Sequence, residues 1–269
     1  MPSDAAGELD RSTHDVELGS RVVTKTFRSW TRGEHHREWA ALGLLGRYAS
    51  DLAPRPIQAD LDAIPPVVLI SRLPGAPPRP EYVPPFEQIA AAIALSQNAV
   101  PADVAARLPY RIWHPSDLLA SLRAADWEVT RDDPEAVQAA LDAARRWLAA
   151  SALDAVIAEE VTPIFGRADG NIANHVWDGD CVRLVDFEDS GRSDRAFELA
   201  DLAEHVSWYA HGFDPEPVLD MFDLASRERS RLSGVSPHVR AVLARGVATR
   251  RISASRARLP RSPDKRNEC

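Results

Sequence analysis

Two cysteines in 269 residues, Cys181 and Cys269, are too few for a disulfide framework, and no CxxC pair is present to seat a structural zinc. No apolar run reaches the roughly 18 residues that a membrane span requires. The opening MPSDAAGELD is acidic where a secretory leader is basic and then apolar, so the expected compartment is the cytoplasm. No internal repeat is visible, which excludes a solenoid or propeller. What is present is a folding composition. With 45% apolar and 27% charged residues, disordered and fibrous classes are excluded, and one large domain or two modest ones are expected.

The net charge of -8 conceals a division. Residues 226–269 hold 12 Lys/Arg against 3 Asp/Glu, which leaves the body, 1–225, at -17 and the tail at +9. All 18 aromatic residues also lie in the body. A basic arm for nucleic acid is the weaker reading of the tail, because such arms interleave aromatics with their charges. A solvated end rich in Ser, Pro and Arg, or a terminus altered by frameshift or truncation, fits as well.

Residues 16–28, VELGSRVVTKTFR, read as two short strands joined near Gly19, with Val22, Val23, Thr24 and Thr26 supplying β-branched side chains. A helix is expected from about Gly33 to Tyr48, with Glu38, Leu42, Leu45 and Ala49 on one face. PPVVLISRLPG then reads as a buried strand running into a Pro-Gly turn. These pieces make a small strand-rich unit over 1–75. Pro77, Pro78, Pro80, Pro84 and Pro85 stiffen a connector over 76–85, since each fixes φ and removes a donor.

Beyond it the period becomes helical over 86–225. Phe86, Ile89 and Ile93 share one face, and Val137, Leu141, Ala144 and Leu148 share another on a helix opened by Asp133-Pro134. HVWDGDCVRLVDF, 175–187, breaks the pattern, because Asp178-Gly179 between alternating apolar runs is a hairpin signal. Helices resume with Phe197, Ala200 and Ala203, and again from Pro215 through Met221.

The stretch that carries chemistry is Arg167-Ala168-Asp169-Gly170-Asn171-Ile172-Ala173-Asn174, then the hairpin, then Asp186-Phe187-Glu188. An Asp and an Asn five positions apart on a loop can meet an Asp at the end of a hairpin strand, because the hairpin folds back. Phosphoryl transfer needs a carboxylate to accept the proton of an attacking hydroxyl, and hard oxygen ligands to hold Mg²⁺ against a triphosphate. On this reading Asp169 is the base, and Asn174 and Asp186 are the metal ligands.

These residues resemble the aminoglycoside phosphotransferase and choline kinase-like branch of the protein kinase-like fold, whose catalytic loop reads approximately HGDxxxxN and is followed by a hairpin and an IDF, IDW or VDF segment. Leu184-Val185-Asp186-Phe187 matches that segment, and Asp194-Arg195-Ala196-Phe197-Glu198-Leu199-Ala200-Asp201 is similar to the D-x-A-x-D-L-A helix start. The resemblance covers roughly 11–225. It implies an α+β, two-lobed fold with a small strand-rich N-lobe and a larger helical C-lobe. The implied enzyme is a phosphotransferase that moves the γ-phosphoryl of ATP or GTP, with Mg²⁺, to a hydroxyl of a small-molecule acceptor. It further implies that Lys25 contacts the nucleotide phosphates, that Glu38 pairs with Lys25, that Ser71-Arg72-Leu73-Pro74 form the hinge beside the adenine, and that Asp201 supports the catalytic loop. The acidic body favours a cationic acceptor such as an aminoglycoside or amino alcohol. Nothing in the sequence sets the oligomeric state.

Three departures stand beside the match. Arg167-Ala168 replaces the usual His-Gly; no glycine-rich loop precedes Lys25, leaving Ser12 and Thr13 in the equivalent turn to cradle phosphate; and the basic tail does not resemble the closing helices. A nucleotide-binding, catalytically impaired protein is therefore the alternative. Other features have plainer readings. Glu34 competes with Glu38 for Lys25, being one helical turn earlier. His35 and His36 are expected on solvated helix surface, pointing to different sides. Asp178 and Asp180 belong to the hairpin turn, not to a metal, and Asp194 to a helix cap. The seven tryptophans are expected in the core, with Trp113 or Trp208 as candidate cavity walls.

Overall fold

The computed structural model describes residues 14–125 and 134–232. The expectations for Ser12, Thr13, Trp127, Asp133 and the tail beyond 232 lie outside the described residues. The chain opens with β1 (Asp15–Leu18) and β2 (Val22–Thr26), antiparallel about the Gly19 turn, which closes with Gly19 N donating to the Val22 carbonyl at 2.9 Å. Helix α1 (Glu34–Tyr48) follows, then β3 (Pro56–Asp60) and β4 (Val67–Ser71). The four strands form one antiparallel sheet in the order β1-β2-β4-β3.

The residues explain this layer. The β-branched run of β2 pairs with the β4 run VVLIS, Lys25 opposite Val68. Phe27, Leu42, Leu45 and Val68 are each fully buried between sheet and α1, a burial worth roughly 1.5–3 kcal/mol per side chain. Strand β3 is not apparent from sequence. It is a sheet-edge strand of mixed polarity, PIQAD, whose exposed Ile57 and Gln58 give no clean alternation.

The Pro-rich 76–85 segment lies against the later hairpin, with Ala76 N donating to the Trp177 carbonyl at 3.0 Å and Tyr82 Oη reaching the same oxygen. The remainder is mainly helical: α2 (Phe86–Ala99), α3 (Ala102–Ala105), α4 (Pro115–Ala124), α5 (Glu135–Leu148) and α6 (Ser151–Ala158). Short strands β5 (Ile164–Gly166), β6 (His175–Trp177), β7 (Val182–Leu184) and β8 (Gly191–Ser193) come next, before helices α7 (Arg195–Glu204), α8 (Val206–Ala210) and α9 (Glu216–Leu219). β6 and β7 form the expected hairpin, and β5 pairs with β8, an association the sequence does not announce. Ile89 and Ile93 are buried as the α2 periodicity requires, and Asp194 Oδ1 accepts from Phe197 N at 3.0 Å, capping α7. This is an α+β architecture with a strand-rich first part and a helical second part. No helix among the described residues is long and apolar enough to cross a membrane.

Two expectations on α1 are corrected. His35 is buried, packed edge-on to Phe27 with ring centroids 5.9 Å apart, and its ring meets that of exposed His36 at 4.1 Å. The buried face of α1 is wide enough to take Glu34, His35 and Glu38 together. Glu34 turns away from Lys25 and accepts from the Arg32 backbone N–H at 2.8 Å and its Nε at 3.0 Å.

Candidate active site

Between the sheet and the helical part lies a cavity of about 350 Å³, with apolar walls from Val23, Ile70 and Val176 and polar groups from Lys25, Asn174 and Asp186. That volume is within the range of small-ligand sites. Ser71 and Leu73 also line it, and Ser71 Oγ accepts from Arg55 N at 2.9 Å.

Strand β2 aims Lys25 inward, where its ammonium is almost fully buried. All three of its donors are engaged, with Glu38 Oε2 at 2.6 Å, Asp186 Oδ1 at 2.6 Å and Glu188 Oε2 at 2.8 Å. Burial pulls the ammonium pKa down, but the three carboxylates outweigh it and hold it well above the ordinary lysine range. Burial raises the Glu38 and Asp186 carboxyls, against the opposing pull of Lys25. Glu188 behaves differently. Burial opposes its charge, yet hydrogen bonding from His14 and the nearby Lys25 bring its pKa down to about 2. His14 Nε2 lies 2.6 Å from Glu188, while its Nδ1 accepts from Arg28 N at 3.2 Å, which fixes Nε2 as the donor.

One ammonium among three carboxylates leaves negative charge in surplus. Glu38, Asp186 and Glu188 present oxygens within 4.8 Å of one another, the hard-donor set that suits a small divalent cation. Asp186 adopts φ 65, a left-handed backbone unusual for a non-glycine residue, and this turn brings Asp186 and Glu188 to the same ammonium. Sequence reasoning named Asp186 and passed over Glu188. The missing signal was the positive φ, which lets residues two apart converge.

On the loop before the hairpin, Asp169 accepts from Asn171 N at 2.8 Å and from Asn174 Nδ2 at 2.6 Å. His205 Nε2 stands 3.5 Å from Asp169 Oδ1, its Nδ1 held by the hydroxyl of Ser207 at 2.7 Å. Asn174 thus links Asp169 to the cavity that Asp186 lines. Gly170 is required by close approach, since a Cβ there would lie 2.5 Å from the Asp201 carbonyl oxygen. The Gly170 carbonyl accepts from the indole N–H of fully buried Trp208 at 2.9 Å, so Trp208 is a prop beneath the loop and not a cavity wall. Trp113 is 47% exposed and does not line the large cavity either.

The least expected feature is Arg111. Its side chain is 2% exposed and bonds Glu198 Oε1 at 2.6 Å, Asp201 Oδ2 at 2.7 Å and the Ala168 carbonyl at 3.1 Å, with the Phe197 ring 4.8 Å away. Glu198 in turn accepts from Ala168 N at 3.1 Å and from Ser193 Oγ at 2.7 Å. Ala168, at φ 70, is therefore gripped at both its N–H and its carbonyl immediately before Asp169. Backbone bonds hold Arg111 in place. Arg111 N donates to the Arg192 carbonyl at 3.1 Å and Ile112 N to the Asp189 carbonyl at 2.9 Å.

Arg167 is buried and its Nη1 reaches the Asn174 carbonyl at 3.3 Å. Burial lowers its pKa, with Asp169 and Glu198 opposing. Helix α1 is tied to this part by Arg37, whose Nη1 donates to the carbonyls of Tyr110 at 2.8 Å and Ser190 at 3.0 Å, and by Arg32, 3.3 Å from Asp189. The hairpin turn carries no metal-like geometry: Asp178 accepts from Asp180 N and Cys181 N at 2.9 Å each and pairs with Arg183.

Comparison with known proteins follows this geometry. No curated protein sequence matches the chain significantly. Among solved structures, a choline/ethanolamine kinase family protein from Mesorhizobium loti aligns with TM-score 0.62 at 15% identity, covering 93% of this chain and 80% of that one. Choline kinase LicA from Streptococcus pneumoniae aligns with TM-score 0.52 at 14% identity, covering 90% of each. A thermostable mutant of aminoglycoside phosphotransferase APH(4)-Ia, in ternary complex with AMP-PNP and hygromycin B, gives TM-score 0.52 at 16% identity over 87% of this chain and 83% of that one. These likenesses establish the fold. Residues 6–235 match the model of the phosphotransferase enzyme family, and the chain belongs to that family.

Proposed function

We propose that the protein transfers the γ-phosphoryl of ATP or GTP to a hydroxyl of a small, cationic acceptor. The observation that carries this reading is that Asn174 and Asp186 line the cavity that also receives the Lys25–Glu38 ion pair, while Asn174 Nδ2 donates to Asp169 just behind that wall. In the proposed step the acceptor oxygen attacks the γ-phosphorus, the bond from γ-phosphorus to the β-bridging oxygen breaks, and Asp169 Oδ takes the hydroxyl proton. Lys25, aimed by Glu38, binds the phosphates in exchange for its contacts with Asp186 and Glu188. Asn174 and Asp186 would hold Mg²⁺, with Glu188 in reach, and the ion when bound supplies positive charge against the triphosphate.

Leu73, on the cavity wall, would offer backbone groups to the nucleobase, with Ser71 beside it giving its N–H to the Arg55 carbonyl at 2.9 Å. The acceptor assignment draws on the charge of -17 over 1–225, which concentrates cations near the surface. It also draws on hygromycin B, found with the structural relative. The grip on Ala168 by Arg111 and Glu198 favours an active loop over a catalytically impaired one, because a changed His-Gly has been replaced by another set of restraints. Asp169→Asn tests the reading. Phosphoryl transfer from MgATP or MgGTP to a panel of cationic alcohols, followed by mass spectrometry, is expected to fall about 10²–10⁴-fold with nucleotide-induced thermal stabilisation retained. Unchanged turnover would remove Asp169 from the role of base.

A further inference from the structure

A second, much smaller cavity lies among α2, the 167–170 loop, β7 and α7. It offers about 20 Å³ to the centre of a water-sized sphere, enough for a single water. Gln97 on its wall is only 4% exposed, and its Oε1 is buried with no hydrogen-bond partner among the described residues. Arg167, Asp169 and Glu198 share that wall. Buried amide oxygens are nearly always paired, and a guanidinium carries five donors. A one-water space between an orphan acceptor and a donor-rich group therefore has the partners that keep a water in place.

We propose that this cavity binds one ordered water that donates one hydrogen to Gln97 Oε1 and the other to the Asp169 carboxylate, and accepts from the Arg167 guanidinium. Gln97 and Arg167 are thereby positioning residues for Asp169. The proposal rests on the reading of Asp169 as the base. It also accounts for Arg167 at a loop position where the resemblance led us to expect histidine: a long cation reaching the Asn174 carbonyl, with water filling the remaining space, restrains the loop in another way.

The test uses the full chain, its Gln97→Met variant and its Arg167→Lys variant, with MgATP hydrolysis as the acceptor-free readout. A high-resolution crystal structure is expected to show the water in the unaltered chain and none in Gln97→Met. In that variant kcat is expected to fall about 10–100-fold, as for a small misplacement of a catalytic group, with KM for MgATP unchanged. Its thermal midpoint should hold, because methionine takes up the same space and removes the buried oxygen together with the water that pairs it. Arg167→Lys, which keeps a cationic donor, should retain more activity than Gln97→Met. A dry cavity in the unaltered chain overturns the proposal, and so does a Gln97→Met variant that keeps kcat or loses it only in step with its thermal midpoint. If the unaltered chain turned over no MgATP, the phosphotransferase reading alone would fall, since the water is read from density whatever the activity.

Discussion

Two buried clusters, one around Lys25 and one around Arg111, use the same materials and end in opposite states. At Lys25 a single ammonium faces Glu38, Asp186 and Glu188 on the wall of a large cavity, and the negative charge exceeds the positive. At Arg111 a planar guanidinium is sealed among Glu198, Asp201 and the Ala168 carbonyl, and both Glu198 oxygens have further partners from Ser193 and Ala168. The first borders a cavity and holds more carboxylates than cations; the second is closed, with its donors and acceptors paired. A cluster left short of charge beside empty space is suited to taking up ligand, whereas a satisfied one suits holding a backbone still.

The sharpest way to break this contrast is to remove each cation in turn. Arg111→Met leaves two carboxylates and a carbonyl buried without their donor, and an expected loss of about 3–5 kcal/mol in urea denaturation follows. Added Mg²⁺ should recover none of it, because the space is closed. Lys25→Met is expected to cost less, about 1–3 kcal/mol, since Asp186 remains 31% exposed at its side chain. Millimolar Mg²⁺ should restore much of that loss, read as a rise in thermal midpoint. Equal responses of the two variants to Mg²⁺ would dissolve the distinction.

A smaller effect sits at the border. Asp189 follows Glu188 in the chain while its carbonyl accepts from Ile112 beside Arg111. Burial raises its carboxyl to about 6, with Arg32 opposing. The folded form therefore keeps a proton that the unfolded chain releases between the ordinary value of 3.8 and about 6. Its stabilising contribution is complete below that window and is lost as pH rises through it. Asp189→Asn should remove this slope, so the stability difference between variant and parent is expected to move in the variant's favour by on the order of 1 kcal/mol from pH 4 to 7. A flat difference across that range would place Asp189 in an environment like water.

How much of this was legible follows from where the information lies. β2, β4 and α1 could be read because their patterns are local: β-branched runs and an apolar face at helical spacing. The loop and hairpin could be placed because Asp178-Gly179 and the spacing from Asp169 to Asp186 lie within one short stretch. Strand β3 escaped because a polar edge strand lacks alternation. Arg111 escaped for a different reason. Its partners Glu198 and Asp201 are 87 and 90 residues away, and the stretch around it has no period to mark it. Glu188 lay inside the motif, yet its reach to Lys25 depends on the left-handed turn at Asp186, which residue identity alone does not reveal.

The Arg37 and Arg32 bonds carry a consequence for Glu38. Swinging α1 outward, and Glu38 with it, would require the Arg37 guanidinium to surrender both the Tyr110 and Ser190 carbonyls and Arg32 to leave Asp189. Such stapling makes the helix a shelf that keeps Glu38 at a constant height above the strand that carries Lys25.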